Sequence, residues 1–199
     1  MILVEEAQVA AAVLPIAGLR DQLRLGTGFD SDALQDGLLE ACLRAALGLI
    51  EARTGQALLQ RPYEWRLWAW TEPDVQPLPL GPVQSVTSLE TVDGDGVATA
   101  VDGTRYRLGP VAGVQALVAR GAGLPDVPVD GHVRVRFSAG HGADWSAVPV
   151  DLRQAVLIQA ARYYEHRSDA AGAADLAPAA GALIAPWLPM RLGARRGLA

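Results

Sequence analysis

Lysine and asparagine are absent from this 199-residue sequence, and cysteine occurs only once. All 17 basic residues are therefore arginine, a bias that fits a GC-rich genome and says nothing about mechanism. The single Cys42 excludes a disulfide framework, and one Cys with three scattered His does not make a metal site. Because Cys42 falls on the apolar face of a predicted helix, we expect it to behave as a small hydrophobe.

Long apolar runs are also missing, since no stretch approaches the roughly 20 residues of a transmembrane helix. Residues 1–12 are apolar but carry Glu5 and Glu6 without a basic start, which does not match a signal peptide. The net charge of −5 argues against a general nucleic-acid binder. Half of the residues are hydrophobic, enough for a substantial core. We therefore expect a folded chain, compatible with the cytosol and without a membrane partner.

Two long amphipathic patterns frame the middle of the chain. The first runs from Asp32 to Arg53 and stops at Thr54-Gly55, and the second runs from Pro149 to Arg167. A shorter helix is predicted over Pro15–Leu25. The main apolar stripe of the first long helix is predicted at Leu34, Leu38, Cys42, Ala45, Leu49 and Ala52, widened by Leu39, Ala46 and Ile50. Each long helix has one apolar side that needs a partner, so the two are predicted to pack together.

Between the two helices, short runs with a period of two are broken by Pro and Gly, which predicts strands. These runs lie near Tyr63–Leu67, Val83–Leu89, Tyr106–Leu108, Val114–Val118 and Val133–Phe137, with a hairpin turn at Asp93–Gly96. The predicted class is α+β: a small antiparallel helical bundle core with an inserted β-rich module and an extended C-terminal tail. The division is 1–58 for the N-terminal helices, 59–147 for the insertion, 148–168 for the core helix and 169–199 for a linker and docking tail.

No motif in the chain predicts catalysis or metal binding. The Asp93–Gly96 segment lacks the further oxygen ligands and the distal Glu of a calcium loop. Ser138, His141 and Asp144 lack a Gly-x-Ser-x-Gly elbow, so a loop between strand and helix is the better interpretation. We expect no catalytic residue, no cofactor and no metal. A small enzyme or ligand-binding domain of unrecognised type remains an alternative.

Two groups of residues are candidates for contacts with other chains. Trp68 and Trp70, together with Tyr164 and Arg167, have the composition of a subunit contact. The C-terminal tail has apolar anchors followed by basic groups, the pattern of a docking peptide: Trp187, Leu188, Met190, Arg191, Arg195 and Arg196. The alternative for the tail is an end that folds back on its own domain.

Several stretches in order resemble the head–tail connector, or adaptor, proteins of long-tailed bacteriophages and gene transfer agents. The resemblance covers residues 15 to 168 and rests on the order of individually weak motifs. These are Leu19–Leu25, Asp32–Leu39, Ile50–Leu58, Leu78–Val86, Tyr106–Leu108, Phe137–Gly142, Val148–Ala155 and Tyr164–Arg167.

The resemblance implies a structural subunit rather than an enzyme. It implies a ring, expected to be dodecameric, that lies beneath the portal protein and joins the capsid to the stopper or tail-side protein. DNA would pass through the lumen without sequence-specific binding. The tail lies outside the resemblance; its own residues predict docking on a neighbour, either the portal, which we favour, or an adjacent subunit. The expected location is the neck of a virion or gene transfer agent particle, assembled in the bacterial cytoplasm. A tail-completion protein is the nearest alternative.

Overall fold

The computed structural model describes residues 1–25, 32–167 and 175–189. The chain forms two compact units, each built from two separate stretches. The β unit comprises Met1–Pro15 and Gln56–Pro149, and the helical unit comprises Ile16–Gly55 and Val150–Ala199. The predicted α+β class is confirmed. The first fifteen residues belong to the β unit, which differs from the predicted division that assigned them to the helices.

The β unit contains eight strands in its described residues: β1 (Ile2–Glu5), β2 (Arg61–Leu67), β3 (Val75–Pro77), β4 (Val83–Val92), β5 (Ala98–Ala100), β6 (Tyr106–Val111), β7 (Val114–Ala119) and β8 (His132–Ala139). They form a five-stranded sheet in the order β1-β2-β8-β4-β5 and a three-stranded sheet in the order β3-β7-β6. All neighbouring strands are antiparallel. The strands predicted from alternation are present, whereas β1, β3 and β5 were not predicted.

The core of the β unit follows from the alternation in β2 and β8. Tyr63 lies opposite Phe137 and Trp65 opposite Val135, so all four share one face of the sheet. They are buried in one cluster that also includes Leu117 of the smaller sheet. The Tyr63 and Phe137 rings stack at 5.6 Å. The residues between them on β2 and β8 are charged and occupy the opposite face of the five-stranded sheet.

Gly140, which follows β8, marks a close approach between two backbone segments. Its φ is +135°, and a Cβ at this position would lie about 2.4 Å from backbone atoms of Gln60. Only glycine fits there, because any side chain would force the segments apart. The Gly140 N–H donates to the Pro82 carbonyl, and its own carbonyl accepts from the Gln84 side chain. The predicted break after the Val133–Phe137 strand is therefore a packed junction.

The helical unit contains α1 (Ile16–Gln22), α2 (Asp32–Thr54), α3 (Val150–Glu165) and α4 (Pro178–Ile184). As predicted, α2 and α3 pack together, and α1 contacts both. Gly55 ends α2 with a φ of +66°, and its N–H donates to the Glu51 carbonyl. The buried residues of α3 include Leu152, Val156 and Ala160, which lie on one side of the helix.

The predicted apolar stripe of α2 is rotated relative to the observed one. Among the residues of α2 whose burial the structure describes, 35–54, the buried ones are Leu39, Cys42, Leu43, Ala46, Leu47, Ile50, Glu51 and Thr54. Leu38, Ala45 and Ala52 of the predicted main stripe are exposed, and Leu49 is half-buried. The burial of Leu34 lies outside what the structure describes. Apolar residues stand side by side at 38–39, 45–46 and 49–50, so a 3.6-residue period fits two phases. Packing against α1 and α3 decides between them.

A middle part of the predicted linker and tail, residues 175–184, packs into the helical unit, whereas residues 169–174 lie outside the described residues. α4 contacts α3 and buries Ala180 and Ile184. The fully buried Gln159 of α3 holds the segment before α4: its side chain accepts from the Ala177 N–H at 2.8 Å and donates to the Asp175 carbonyl at 3.3 Å. Residues 178–184 are therefore helix rather than extended linker. A docking tail can begin only after Ile184.

Candidate interaction surfaces

Trp68 and Trp70 occupy different environments just after β2. Trp68 is half exposed, and its ring lies 5.8 Å from that of His132. Trp70 packs against the core cluster and donates its indole N–H to the Pro125 carbonyl at 2.6 Å. The exposed side of Trp68 is therefore free to contact another chain. Trp70 instead holds the 68–74 loop on the β unit through its packing and its hydrogen bond.

The outer face of the five-stranded sheet carries an ion-pair cluster centred on Arg136. One guanidinium nitrogen of Arg136 lies 2.9 Å from Glu64, and others lie 3.2 Å from Glu6 and 3.6 Å from Glu90. Arg66 pairs with Glu64 at 2.5 Å and Arg134 with Glu90 at 2.6 Å. The cluster joins strands β2, β8 and β4 to the end of β1.

The charges of this outer-face cluster balance, with carboxylates from Glu6, Glu64 and Glu90 and guanidinium groups from Arg66, Arg134 and Arg136. Burial alone would raise the pKa of Glu64, but hydrogen bonds and charges from Arg66 and Arg136 outweigh it and hold this pKa below its usual value. The three carboxylates raise the pKa of Arg136 against the opposing effect of burial. Because the charges of this face are already paired, we expect it to bind DNA phosphates only weakly.

Tyr164 and Arg167, the other predicted subunit contact, lie together at the end of α3. The Arg167 guanidinium lies 4.8 Å from the centre of the Tyr164 ring and donates a 2.8 Å hydrogen bond to the Tyr164 carbonyl. Arg167 is exposed and Tyr164 is half-buried. The pair therefore forms an ordered aromatic and cationic surface of the kind that is favoured at interfaces.

The predicted docking residues fall on both sides of the last described residue. Trp187 is half-buried in a short turn of 3₁₀ helix, Ala185–Trp187, that contacts α4. Leu188 is exposed. Met190, Arg191, Arg195 and Arg196 lie outside the described residues. Of the six, the structure thus presents Leu188 to solvent and places Trp187 partly within the helical unit.

The loops considered for chemistry have structural roles. The Asp93 carboxylate accepts hydrogen bonds from the backbone N–H groups of Asp95 and Val97, as in a hairpin turn. Ser138 contacts the Gln60 side chain at 3.1 Å, and burial lowers the pKa of His141. Within residues 1–25, 32–167 and 175–189, no group of His, Cys, Asp and Glu could hold a metal ion. In the same ranges no helix combines the length and apolarity needed to cross a bilayer.

Comparison with solved structures identifies relatives over the full chain. A chain from the neck of an empty gene transfer agent particle, computed with C6 symmetry, is 45% identical with a TM-score of 0.88. A chain from the neck of a native particle, computed with C12 symmetry, is 41% identical with a TM-score of 0.83. A chain from the virion of a native gene transfer agent particle is 44% identical with a TM-score of 0.85. Each alignment covers 99% of this chain and 100% of the other.

This chain belongs to the family of gene transfer agent neck proteins. No protein-family model and no curated protein matches its sequence. The part of the suspected resemblance that concerns gene transfer agents is confirmed.

Sequence reasoning missed one surface of this neck protein. β1 lies at the edge of the five-stranded sheet and is exposed along its whole length. The run Ile2-Leu3-Val4 was a visible signal, because three β-prone apolar residues occur together at a position with no helical pattern. It lacks the polar alternation that identifies the other strands, so the pattern alone does not predict a strand there.

Proposed function

We propose that this neck protein is the head–tail connector, or adaptor, subunit of a gene transfer agent particle. Several copies form a ring beneath the portal and join the capsid to the stopper or tail, and DNA passes through the lumen. The observation that carries the proposal is the likeness, over essentially the whole chain, to chains from particle necks. Because the relatives are particle components, we propose a structural role without catalysis.

The symmetry of the related structures supports the ring. Those neck structures were computed with C6 and C12 symmetry, both of which repeat a subunit around one axis. A twelve-fold ring would agree with the dodecamer implied by the adaptor resemblance. The balanced charges on the outer sheet face and the net charge of −5 fit a channel component, because strong basic contacts would retain DNA instead of letting it slide.

The partners of the ring are proposed to be the portal on one side and the stopper or tail-side protein on the other. The proposed portal-docking residues are Trp187, Leu188, Met190, Arg191, Arg195 and Arg196. The apolar side chains would fill pockets, and the three guanidinium groups would pair with acidic groups of the portal. Pro186 and Pro189 restrict the backbone around the anchors, which lowers the cost of ordering the segment on binding.

Removal of the chain from a producing strain tests the connector role. Without a connector, filled heads and free tails should accumulate separately, and particles should reappear when the parent chain is supplied again. Normal numbers of joined particles in the absence of the chain would contradict the proposal. Heads joined to incomplete tails would instead indicate the tail-completion alternative.

A chain that ends at Pro189 tests the docking residues. It lacks Met190 and the three tail arginines but keeps every helix and strand of the described residues, so we expect an unchanged melting temperature. We expect it to bind isolated portal at least tenfold more weakly than the parent, and Leu188→Ala to weaken binding further. Equal portal affinity for both variants and the parent would exclude docking through this tail.

A further inference from the structure

The five-stranded sheet has an exposed edge at each end. β1 forms one edge and β5 the other. Three of the four side chains of β1 are apolar yet open to solvent, with 49% of Ile2, 40% of Leu3 and 44% of Val4 exposed. All three residues of β5 are exposed as well. An exposed apolar edge strand readily pairs with another strand, so a natural protein normally protects it.

The ladder hydrogen bonds show which backbone groups of β1 face outward. The Glu6 N–H donates to the Pro62 carbonyl at 3.0 Å, so Glu6 and Pro62 form a hydrogen-bonded pair. Such pairs alternate along an antiparallel ladder, and the next ones are Val4 with Glu64 and Ile2 with Arg66. The N–H and C=O groups of Leu3 therefore point away from β2, towards the open edge.

The same reasoning applies to β5. The Asp93 N–H donates to the Val97 carbonyl and the Val101 N–H donates to the Leu89 carbonyl, so residues 97, 99 and 101 face β4. The N–H and C=O groups of Ala98 and Ala100 point away from β4. The start of β4 is different, because the Gln115 side chain bonds both the N–H and the C=O of Val83. Gln115 thus occupies the backbone groups of Val83 at the start of the β4 edge, ahead of the residues that pair with β5.

We propose that β1 of one copy pairs with β5 of the next copy, so that the sheets join around the ring. This inference rests on the proposed ring. Subunits related by rotation contact each other through two different patches, and these must be complementary. The two edges of one sheet meet that requirement. The small side chains of Ala98, Thr99 and Ala100 leave room for the larger Ile2, Leu3 and Val4.

The strand directions determine how the two edges would pair. Five strands that alternate in direction place β1 and β5 in the same direction. Rotation about the ring axis does not reverse a strand that runs along that axis. If the strands run along the axis and the sheet continues around the ring, β5 of one copy therefore lies parallel to β1 of the next. In the parallel pattern Leu3 lies opposite Thr99: its N–H donates to the Ala98 carbonyl, and its carbonyl accepts from the Ala100 N–H.

In this register, residues that lie opposite each other on β1 and β5 belong to the same face of the sheet. Leu3 lies opposite Trp65 on the core face, and Thr99 lies opposite Thr91, which is opposite Val133 on the same face. Val4 and Ala100 both lie on the outer face that carries the ion-pair cluster. The join would therefore continue the core face and the outer face from one copy to the next.

Paired cysteines test this join in purified particles. Val4→Cys with Ala100→Cys places the two thiols on one face at the distance of adjacent strands, within the range of a disulfide. After mild oxidation we expect a ladder of covalent multimers on a non-reducing gel. Leu3→Cys with Ala100→Cys is the matched control, because these side chains lie on opposite faces and should give at least fivefold fewer multimers. Ile2→Cys with Ala98→Cys is a second pair with the same geometry, for use if the first pair does not assemble.

A backbone variant separates strand pairing from side-chain contact. Leu3→Pro removes the outward N–H while the ladder to β2 stays complete, and Leu3→Ala keeps that N–H. We expect Leu3→Pro to reduce the number of joined particles at least fivefold more than Leu3→Ala does. Joined particles at parental level with Leu3→Pro, or in-register cysteine pairs that form no ladder in particles that contain rings, would overturn the join but leave the ring intact. Parent particles without a ring of this chain would overturn the proposed function instead.

Discussion

Leu38 and Leu43 lie on the same helix, but one is exposed to solvent and the other is buried. Leu43 of α2 is 0% exposed, whereas Leu38 is 39% exposed. Leu43→Ala should lower the free energy of unfolding by about 2–5 kcal/mol, because it leaves a cavity between packed helices. Leu38→Ala is the matched control and should change stability by less than about 1 kcal/mol. Urea unfolding followed by circular dichroism measures both. Equal losses in the two variants would contradict the observed orientation of α2.

Glu64 predicts a specific dependence of stability on pH. Its pKa is lowered in the folded protein, mainly through Arg66 and Arg136, which overcome the effect of burial. Its contribution to stability is therefore complete above the unfolded-state pKa of about 4.3 and is lost as the pH falls through the lower folded-state pKa. Glu64→Gln should be less stable than the parent at pH 7, and the difference should shrink towards pH 3.

Urea unfolding of parent and variant at several pH values measures this difference. Glu72→Gln is a suitable control, because Glu72 is exposed and lies outside the outer-face ion-pair cluster. A Glu64→Gln effect that stays constant from pH 7 to pH 3 would show that the lost stability comes from shape rather than from charge.

The sequence specified the position of α2 better than its orientation. Its ends could be read from the start of the apolar pattern at Asp32 and from Gly55, since a C′ glycine is a local signal. Its buried side could not, because neighbouring apolar residues such as Leu38 and Leu39 satisfy the same period in two phases. The choice depends on contacts with α3, more than 90 residues away in the chain. Local patterns carry no information on such contacts.

At the scale of elements, α4 extends the helical unit beyond α3. Ala180 and Ile184 are buried, and Gln159 anchors the segment that precedes the helix. A chain that ends at Ala177 should unfold at a clearly lower temperature than one that ends at Pro189, because the loss of Ile184 alone is worth about 2–5 kcal/mol. Differential scanning calorimetry compares the two. Identical melting temperatures would show that α4 contributes nothing to the helical unit.

The composition of α4 explains why the sequence predicts a linker and tail rather than a helix here. The sequence Pro-Ala-Ala-Gly-Ala-Leu-Ile has few large apolar residues, and the Ala- and Gly-rich stretch before it is typical of a linker. The sequence does not indicate that Gln159 is buried either, because a polar residue on a helix is normally expected to face solvent. Its burial becomes understandable only with the Ala177 N–H and the Asp175 carbonyl beside it.

At the scale of the whole molecule, the contact residues predicted from composition differ in their surroundings. Trp68 and Leu188 are exposed, and Arg167 lies against Tyr164 on the surface. Trp70 is tied to the Pro125 carbonyl. Trp and Arg are favoured at interfaces, but composition cannot show which of these residues already make contacts within their own chain. The exposed β1 edge is a clearer candidate, because its outward backbone groups lack strand partners in the part of the chain that the structure describes.

The most direct test of the account is a reconstruction of particles in which this chain carries a small fused label near its N-terminus. If the chain is a connector subunit, the labels will form a ring at the neck, between the portal and the first tail component, with one label for each copy around the DNA channel. Labels along the tail tube, on the capsid surface or in a single copy per particle would contradict a connector ring.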